Sequence, residues 1–178
     1  MTSIPVIALF LSVSVPSGQG FPVWLLSPRD SCTEVAIPLE QITRNRRRER
    51  VRRLAGPYAR LILHAARKAH VSARLVAAVA HVENGGDFYG AASRVSPAGA
   101  IGPMQLMPVT ADVLHVDPWN PRQNIEGGAR FLTMLLHEFH NTRLALMAYN
   151  AGPTWIAQGG RPEQARFYAK EVLHYAHT

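Results

Sequence analysis

The sequence has few residues that could cross-link the chain or bind a metal. Only one of its 178 residues, Cys32, is a cysteine, which excludes an intramolecular disulfide and a zinc site built from several cysteines. The stretch His137-Glu138-Phe139-His140 looks like a zinc-protease motif. That motif needs its second histidine four residues after the first, where this chain has Asn141. We therefore predict neither a metal nor a cofactor.

Long hydrophobic runs are also missing. The apolar stretch at residues 4–15 (IPVIALFLSVSV) is too short to span a bilayer as a helix. Its length fits the apolar region of a signal peptide, and the small residues that follow could hold a cleavage site. No Lys or Arg precedes it, so a poorly ordered tail or a wrongly assigned start is the alternative. We predict a signal peptide at residues 1–20 and an exported protein.

Acidic residues are scarce, because 12 Asp and Glu stand against 19 Lys and Arg. The excess is concentrated at residues 43–53 (TRNRRRERVRR), which contain seven arginines and one glutamate. Such a run could contact anionic lipid, nucleic acid or an anionic wall polymer, but it is more typical of a solvated helix start or linker. No aromatic residues are interleaved with it, which argues against nucleic acid. We predict a linker with a basic run at residues 21–53 and one folded domain at residues 54–178.

The folded domain has the hydrophobic pattern of helices. Apolar residues recur at three- and four-residue spacing from Tyr58 to Ala69 and from Leu75 to Val82, as on the buried face of a helix. Ser72 is a suitable N-cap for the second helix. Further helices are predicted at residues 108–114, 124–139, 142–149 and 162–175, and a turn at residues 117–121. The apolar positions of the last helix are predicted to be Ala165, Phe167, Tyr168, Val172 and Leu173. Because no clear strand pattern is present, we predict an all-α fold with at most a small irregular β element.

One carboxylate, Glu83, lies where an apolar helix meets a glycine-rich loop. It follows Val82 and precedes Asn84, Gly85 and Gly86, which end the helix. Poor hydration and the partial negative charge of a helix C-terminus both favour the protonated form of a carboxyl group. Such a group suits proton donation near neutral pH. The plain alternative is a helix-end carboxylate exposed to water.

Several blocks that surround Glu83 decide between these interpretations. They occur in order as Val82-Glu83, SPAGA at residues 96–100, IGPMQLMP at 101–108, QNI at 123–125, GARFL at 128–132 and AYNAGP at 148–153. With these blocks the sequence resembles the soluble lytic transglycosylase family, whose fold is related to goose-type lysozyme. The resemblance covers roughly residues 58–158 and implies a lysozyme-like, all-α catalytic domain.

The resemblance implies an enzyme that cleaves the β-1,4 bond between N-acetylmuramic acid and N-acetylglucosamine in peptidoglycan. In that family a single glutamate protonates the glycosidic oxygen and then acts as base on the muramoyl 6-hydroxyl, which closes on C1 to give a 1,6-anhydro product. Glu83 occupies the place of this glutamate. The resemblance carries over five substrate-binding residues: Ser96, Met104, Gln105, Tyr149 and Asn150. Gln105 and Asn150 offer amides to the sugars, Tyr149 a hydroxyl and a ring, and Met104 an adaptable apolar wall.

The sequence departs from the family pattern in the loop that follows Glu83. Asn84 replaces a common serine, Pro103 replaces a common leucine, and the loop before Ser96 is longer than the usual form. We expect activity with altered contacts to the sugars. Glycoside hydrolases generally pair two carboxylates across the scissile bond. No obvious second carboxylate is present, although Asp87 is close in sequence.

These features leave alternatives open. A hydrolytic lysozyme on the same fold is the nearest, and a wall-binding component of a secretion apparatus that has lost catalysis is another. The expected partners are peptidoglycan glycan strands and, by family analogy, a secretion or conjugation apparatus. We expect no nucleic-acid partner, no stable membrane span, and a periplasmic or cell-wall location.

Overall fold

The computed structural model describes residues 38–178. The predicted signal peptide, most of the predicted linker and Cys32 lie outside the described residues. Eight α-helices form the described part: α1 Leu39–Ala55, α2 Ala59–Lys68, α3 Ala73–Glu83, α4 Pro108–Val113, α5 Pro121–Phe139, α6 Thr142–Ala151, α7 Pro153–Ala157 and α8 Glu163–His177. Short 3-10 turns occur at Gly56–Tyr58 and Ala91–Ser93.

The predicted all-α class is confirmed. Within residues 38–178 the only extended pairing consists of two isolated bridges, Val95 with Ile101 and Ile101 with Leu106. These bridges form the small irregular β element that was expected, and they hold the loop between α3 and α4. No helix in the described range is both long and apolar enough to cross a membrane.

Helix α3 lies at the centre of the core. Every residue from Leu75 to Ala80 is buried, and α1, α2 and α8 all pack against this helix. A helix with no exposed side must be apolar all round. The alanines at 77, 78 and 80 meet that need and allow neighbouring helices to approach closely. The core therefore fixes the direction of α3 and the place where it ends, at Glu83.

Local signals set most helix boundaries. Ser72 caps α3 as predicted, with its side chain accepting from the backbone N–H of Leu75. Helix α5, however, begins at Pro121 rather than Asn124. The Asn120 side chain accepts from the N–H groups of residues 122 and 123, and proline suits the first helical position. In α8, Phe167 was expected on the apolar face but is 66% exposed.

The predicted domain boundary at residue 54 differs from the structure. All described residues, 38–178, belong to one compact unit, and residues 39–53 belong to α1 rather than to a linker. Val51 and Ala55 of α1 are almost completely buried in the main core. The arginine run is therefore part of a helix that packs on the domain.

Candidate active site

The C-terminal end of α3 presents Glu83. Asn84 follows it, and Gly85 and Gly86 then adopt positive φ angles of 58° and 78°. Glycine adopts this left-handed conformation without steric cost. The N–H of Gly86 donates to the carbonyl of His81, which closes the helix end. Glu83 is thus held at a fixed point on the last turn of a helix whose central residues, 75–80, are buried.

A tyrosine from the last helix contacts this carboxyl group. The hydroxyl of Tyr168 donates to Oε1 of Glu83 across 2.6 Å. Burial raises the pKa of Glu83 from 4.5 to about 7, while the hydrogen bond from Tyr168 acts in the opposite direction. The carboxyl group therefore changes protonation state close to neutral pH, as a group that both donates and accepts a proton requires.

The role of Tyr168 was not predicted from the sequence, where it was assigned only to the apolar face of α8. It lies 85 residues from Glu83 in the chain. One general property could have indicated a role for Tyr168: a buried tyrosine hydroxyl usually finds a hydrogen-bond partner. The sequence alone does not say which partner that is.

A second tyrosine, Tyr149 of α6, lies within the electrostatic influence of Glu83. Burial raises the pKa of Tyr149 well above 10, and the charge of Glu83 raises it further. Its hydroxyl donates to the carbonyl of Met104 across 2.8 Å, and its ring packs on Phe131 with centroids 5.3 Å apart. Helices α3, α6 and α8 thus bring one carboxyl and two phenol groups together, and only the carboxyl group titrates near neutral pH.

Met104 supports the site from beneath. Its side chain is completely buried, and a Cβ atom at Gly128 would lie only 2.7 Å from its Cβ. Its backbone N–H donates to Oδ1 of the buried Asn124 across 2.8 Å. The expectation of an adaptable apolar wall is therefore corrected: the side chain is packed in the core, and the carbonyl orients Tyr149.

Gln105 has a backbone conformation that glutamine rarely adopts, with φ of 47°. Its side-chain amide nitrogen donates to the carbonyl of Gly102 across 2.9 Å and, at 3.4 Å, to that of Arg94. The side chain is half-buried. Two main-chain carbonyls thus orient the amide group, and its oxygen is the atom available to accept a hydrogen bond from a ligand.

The remaining predicted residues differ in their surroundings. Ser96 closes a tight turn, because its Oγ accepts from the N–H of Ala100 across 3.0 Å and its own N–H donates to the carbonyl of Ala100. Asn150 is exposed near the end of α6. The structure links Met104 directly to Tyr149 by a hydrogen bond, and Tyr149 interacts electrostatically with Glu83. Ser96 is held in its own turn in the loop between α3 and α4, and Asn150 is open to solvent.

Asn84 has a structural function in this chain. It is only 5% exposed, and its Nδ2 donates to the carbonyls of Ala80 and Pro103, each across 2.7 Å. Its Oδ1 accepts from Nη1 of Arg94 across 3.0 Å. A serine hydroxyl has one proton to donate, so it could not form both donor bonds. The expectation that Asn84 alters contacts to the sugars is replaced by a role in joining α3 to the following loop.

Arg94, which the sequence analysis did not single out, organises the loop at residues 84–95. Besides the Asn84 side chain, its guanidinium donates to the carbonyls of Asn84, Asp87 and Tyr89 at 2.9–3.1 Å. One planar group with five N–H donors can satisfy several carbonyls at once. The longer loop is therefore held in one conformation at the C-terminal end of α3, which carries Glu83.

Asp87 is engaged in its own turn. Its Oδ1 accepts from the N–H of Tyr89 across 2.8 Å, and the residue is exposed. No carboxylate of residues 38–178 contributes to the pKa shift of Glu83, which has burial and Tyr168 as its causes. Glu171 of α8 raises the pKa of Tyr168 by its charge, but it is not among the causes of the Glu83 shift.

The sequence matches the model of a known protein family, described as the transglycosylase SLT domain, over residues 60–171. It is 39% identical over 89 residues to a transglycosylase of Enterobacteria phage PRD1, covering 49% of this chain and 32% of that protein. It is 38% identical over 132 residues to the membrane-bound lytic murein transglycosylase F of Methylobacillus flagellatus, covering 70% of this chain and 26% of that protein. The chain thus corresponds to about a third or less of the length of these relatives.

Solved structures show the same similarity. The lytic transglycosylase Slt of Pseudomonas aeruginosa is 25% identical with a TM-score of 0.57, covering 70% of this chain and 24% of that one. The 70 kDa soluble lytic transglycosylase of Escherichia coli is 26% identical with a TM-score of 0.58, covering 71% and 24%. The helical arrangement around Glu83 therefore has counterparts among experimental structures.

Proposed function

Because this chain belongs to the transglycosylase SLT domain family, we propose that it is a lytic transglycosylase of peptidoglycan in which Glu83 is the single general acid and base. It cleaves the β-1,4 bond between N-acetylmuramic acid and N-acetylglucosamine. The observation that carries the proposal is the carboxyl group of Glu83, whose pKa is raised to about 7 beside Tyr168. Such a group is protonated in a useful fraction of molecules at neutral pH.

In the first step Glu83 donates its proton to the glycosidic oxygen as the bond from that oxygen to C1 of the muramoyl residue breaks. Burial supports this step because it disfavours the charged carboxylate. The carboxylate that results accepts the hydrogen bond from Tyr168, which limits the cost of the buried charge.

In the second step the carboxylate accepts the proton of the muramoyl 6-hydroxyl while the oxygen of that hydroxyl forms a bond to C1. The product carries a 1,6-anhydro ring, Glu83 is protonated again, and no water is consumed. Two observations support one carboxyl group in both roles. Asp87 is held in its own turn, and Glu171 acts on Tyr168 but is not among the causes of the Glu83 pKa shift.

The residues predicted to bind substrate carry groups that suit the sugars. Tyr149 presents a ring, the oriented amide of Gln105 presents an oxygen, and the exposed Asn150 presents a complete amide. Ser96 shapes the turn at residues 96–100. Met104, which is buried, orients Tyr149 through its carbonyl.

The test is digestion of purified peptidoglycan followed by mass spectrometry of the muropeptides. The wild-type chain is expected to release 1,6-anhydro ends, and Glu83→Gln is expected to lose activity by at least a thousandfold with an unchanged circular dichroism spectrum. Reducing ends would identify a hydrolytic lysozyme instead. Retained lysis by Glu83→Gln would exclude Glu83 as the catalytic acid.

The location and partners follow from this function. Peptidoglycan lies outside the cytoplasmic membrane, so we propose an exported protein that acts in the periplasm or at the cell wall. A relative of this chain is the transglycosylase of a phage, and a secretion or conjugation apparatus would need the same local opening of the wall. The proposal that catalysis has been lost has little support, since Asn84 is explained by its bonds within the loop.

A further inference from the structure

A groove lined by arginines lies at the other end of α3 from Glu83. It has a volume of about 1150 Å³ and runs between α1, α2 and the start of α3. Eight arginines line it, and α1 contributes four of them: Arg44, Arg47, Arg48 and Arg52. Within the described part of the chain no Asp or Glu lines this groove.

The arginines of α1 occupy positions that would ordinarily be apolar. Residues three, four and seven apart share one face of a helix. Val51 lies on the face of α1 that packs in the core and is 1% exposed. Arg44, Arg47 and Arg48 precede it by seven, four and three residues, so they lie on or beside the same face. The first half of α1 thus presents guanidinium groups to the groove where a packed helix would present leucine or valine.

Helices α2 and α3 complete the positive lining. Arg60 and Arg67 of α2 and Arg74 of α3 face the same space. Among residues 38–178, three of the groove arginines form salt bridges: Arg44, Arg52 and Arg122. Nε of Arg74 is buried, and it has no hydrogen-bond partner within the described range.

Several charges without a salt bridge therefore line one concave surface. Arg47, Arg48, Arg60 and Arg67 have no carboxylate within 4 Å in residues 38–178. Like charges so placed repel each other, and an anionic ligand would relieve that repulsion. Guanidinium groups pair with phosphate in a bidentate geometry and stay charged at all physiological pH values.

We propose that this groove binds a linear polymer of phosphate groups without bases. Its charged residues lie on successive turns of α1, about 5–6 Å apart, which suits a chain with regularly repeating anions. Such a ligand would hold the protein on a phosphate-bearing polymer while Glu83, at the opposite end of α3, remains free. The site is separate from the proposed lytic function.

Other polyanions fit less well. A bilayer surface is bound through an exposed apolar face beside the basic one. The apolar residues that line the groove do not form such a face: Val51 and Ala59 are buried, and Leu61, Leu63, Val71 and Ala73 are partly buried. Single-stranded nucleic acid is held by aromatic side chains on which bases stack. No Phe, Tyr or Trp of the described residues lines the groove.

The test measures binding of fluorescently labelled inorganic polyphosphate to the full chain by anisotropy over a range of salt concentrations. The groove variant combines Arg47→Gln, Arg60→Gln and Arg67→Gln. The control combines Arg46→Gln, Arg143→Gln and Arg166→Gln, which removes three charges from exposed arginines outside the groove. We expect the groove variant to bind at least tenfold more weakly, with a salt slope shallower by about 2. The control should lose less than threefold.

Several outcomes would overturn the proposal. Equal weakening in both variants would show that only net charge matters. Tighter binding of duplex DNA, an oligothymidylate, polyglutamate or anionic vesicles at equal anion concentration would exclude a phosphate polymer as the preferred ligand. Thermal melting checks folding, and if the triple variant melts early, Arg67→Gln alone should weaken binding about threefold. Lysis of walls free of phosphate polymers should be unchanged in the groove variant, so failure here is distinct from failure of the lytic assignment.

Discussion

At the scale of single residues, Glu83 is subject to two opposing influences. Burial disfavours its charge, and the hydrogen bond from Tyr168 favours it, with burial the larger effect. The balance leaves a carboxyl group that can hold or release a proton near pH 7. Either influence alone would leave the group less suited to act as both acid and base.

The balance predicts the pH dependence of activity. Because the first step needs protonated Glu83, the rate should fall by about tenfold per pH unit above about 7. Tyr168→Phe removes the hydrogen bond that stabilises the carboxylate, so the pKa of Glu83 should rise and the falling limb should move to higher pH. Tyr175→Phe removes a hydroxyl from the same helix without touching Glu83 and serves as control. A pH–rate profile on purified peptidoglycan measures all three, and an unmoved limb in Tyr168→Phe contradicts this role.

The same shift predicts how stability depends on pH. The pKa of Glu83 is about 7 when folded and 4.5 when unfolded, so the folded state binds the proton more tightly. The associated stability is fully present below pH 4.5 and is lost as the pH rises through 7. Glu83→Gln avoids this loss. Chemical denaturation should show the variant more stable than wild type by about 3 kcal/mol at pH 8 and similar to it at pH 4. An equal difference at both pH values would contradict the shift.

At the scale of elements, the loop at residues 84–95 depends on two side chains. Asn84, at the end of α3, donates a hydrogen bond to the carbonyl of Pro103. Arg94 donates hydrogen bonds to three carbonyls of the loop. The loop also makes apolar contacts, through Phe88 on Tyr58 with ring centroids 5.6 Å apart and through the completely buried Ala91. The hydrogen bonds of Asn84 and Arg94 hold the backbone around these two contacts.

Replacing Arg94 should release this loop. Arg94→Ala leaves the carbonyls without their donor and is expected to cost about 1–3 kcal/mol in the free energy of unfolding. Hydrogen exchange should accelerate in residues 84–95 more than in the core of α3, and lytic activity should fall about tenfold. Arg143→Ala, at an exposed position in α6, is the matched control. Unchanged exchange in the loop would show that Arg94 does not hold it.

At the scale of the whole molecule, α1 completes the core. It packs on both α2 and α3, and Val51 and Ala55 are buried against α3, whose end carries Glu83. A domain that began at residue 54 would expose that side of α3 to water. The arginines of α1 therefore belong to a helix that the fold requires.

This predicts different behaviour for two truncated chains. A chain of residues 38–178 should unfold cooperatively with the stability of the full compact unit. A chain of residues 54–178 loses Val51 and most of the helix that covers α3. It should lose about 3 kcal/mol or more and give a broad transition in thermal denaturation monitored by circular dichroism. Equal thermal midpoints for the two chains would show that α1 adds no stability and acts only as a linker.

The sequence by itself determined the helices and the position of Glu83. Spacing of apolar residues, the cap at Ser72 and the glycines after Asn84 act within a few residues of each other, so their consequences can be predicted locally. The motif blocks also indicated the family correctly. The start of α5 was missed because Asn120 and Pro121 were assigned to a turn, although they are themselves a helix-start signal.

Only the tertiary structure decided which side chains meet at Glu83. Tyr168 reaches it from 85 residues away, the buried Met104 accepts a hydrogen bond from Tyr149, and Asn84 bonds to Pro103. These contacts depend on how close the helices approach one another, which the core as a whole decides and no local pattern encodes. For the same reason the arginine run resembled a linker in the sequence. Its last turns are covered by the core, while its first turns line an open groove.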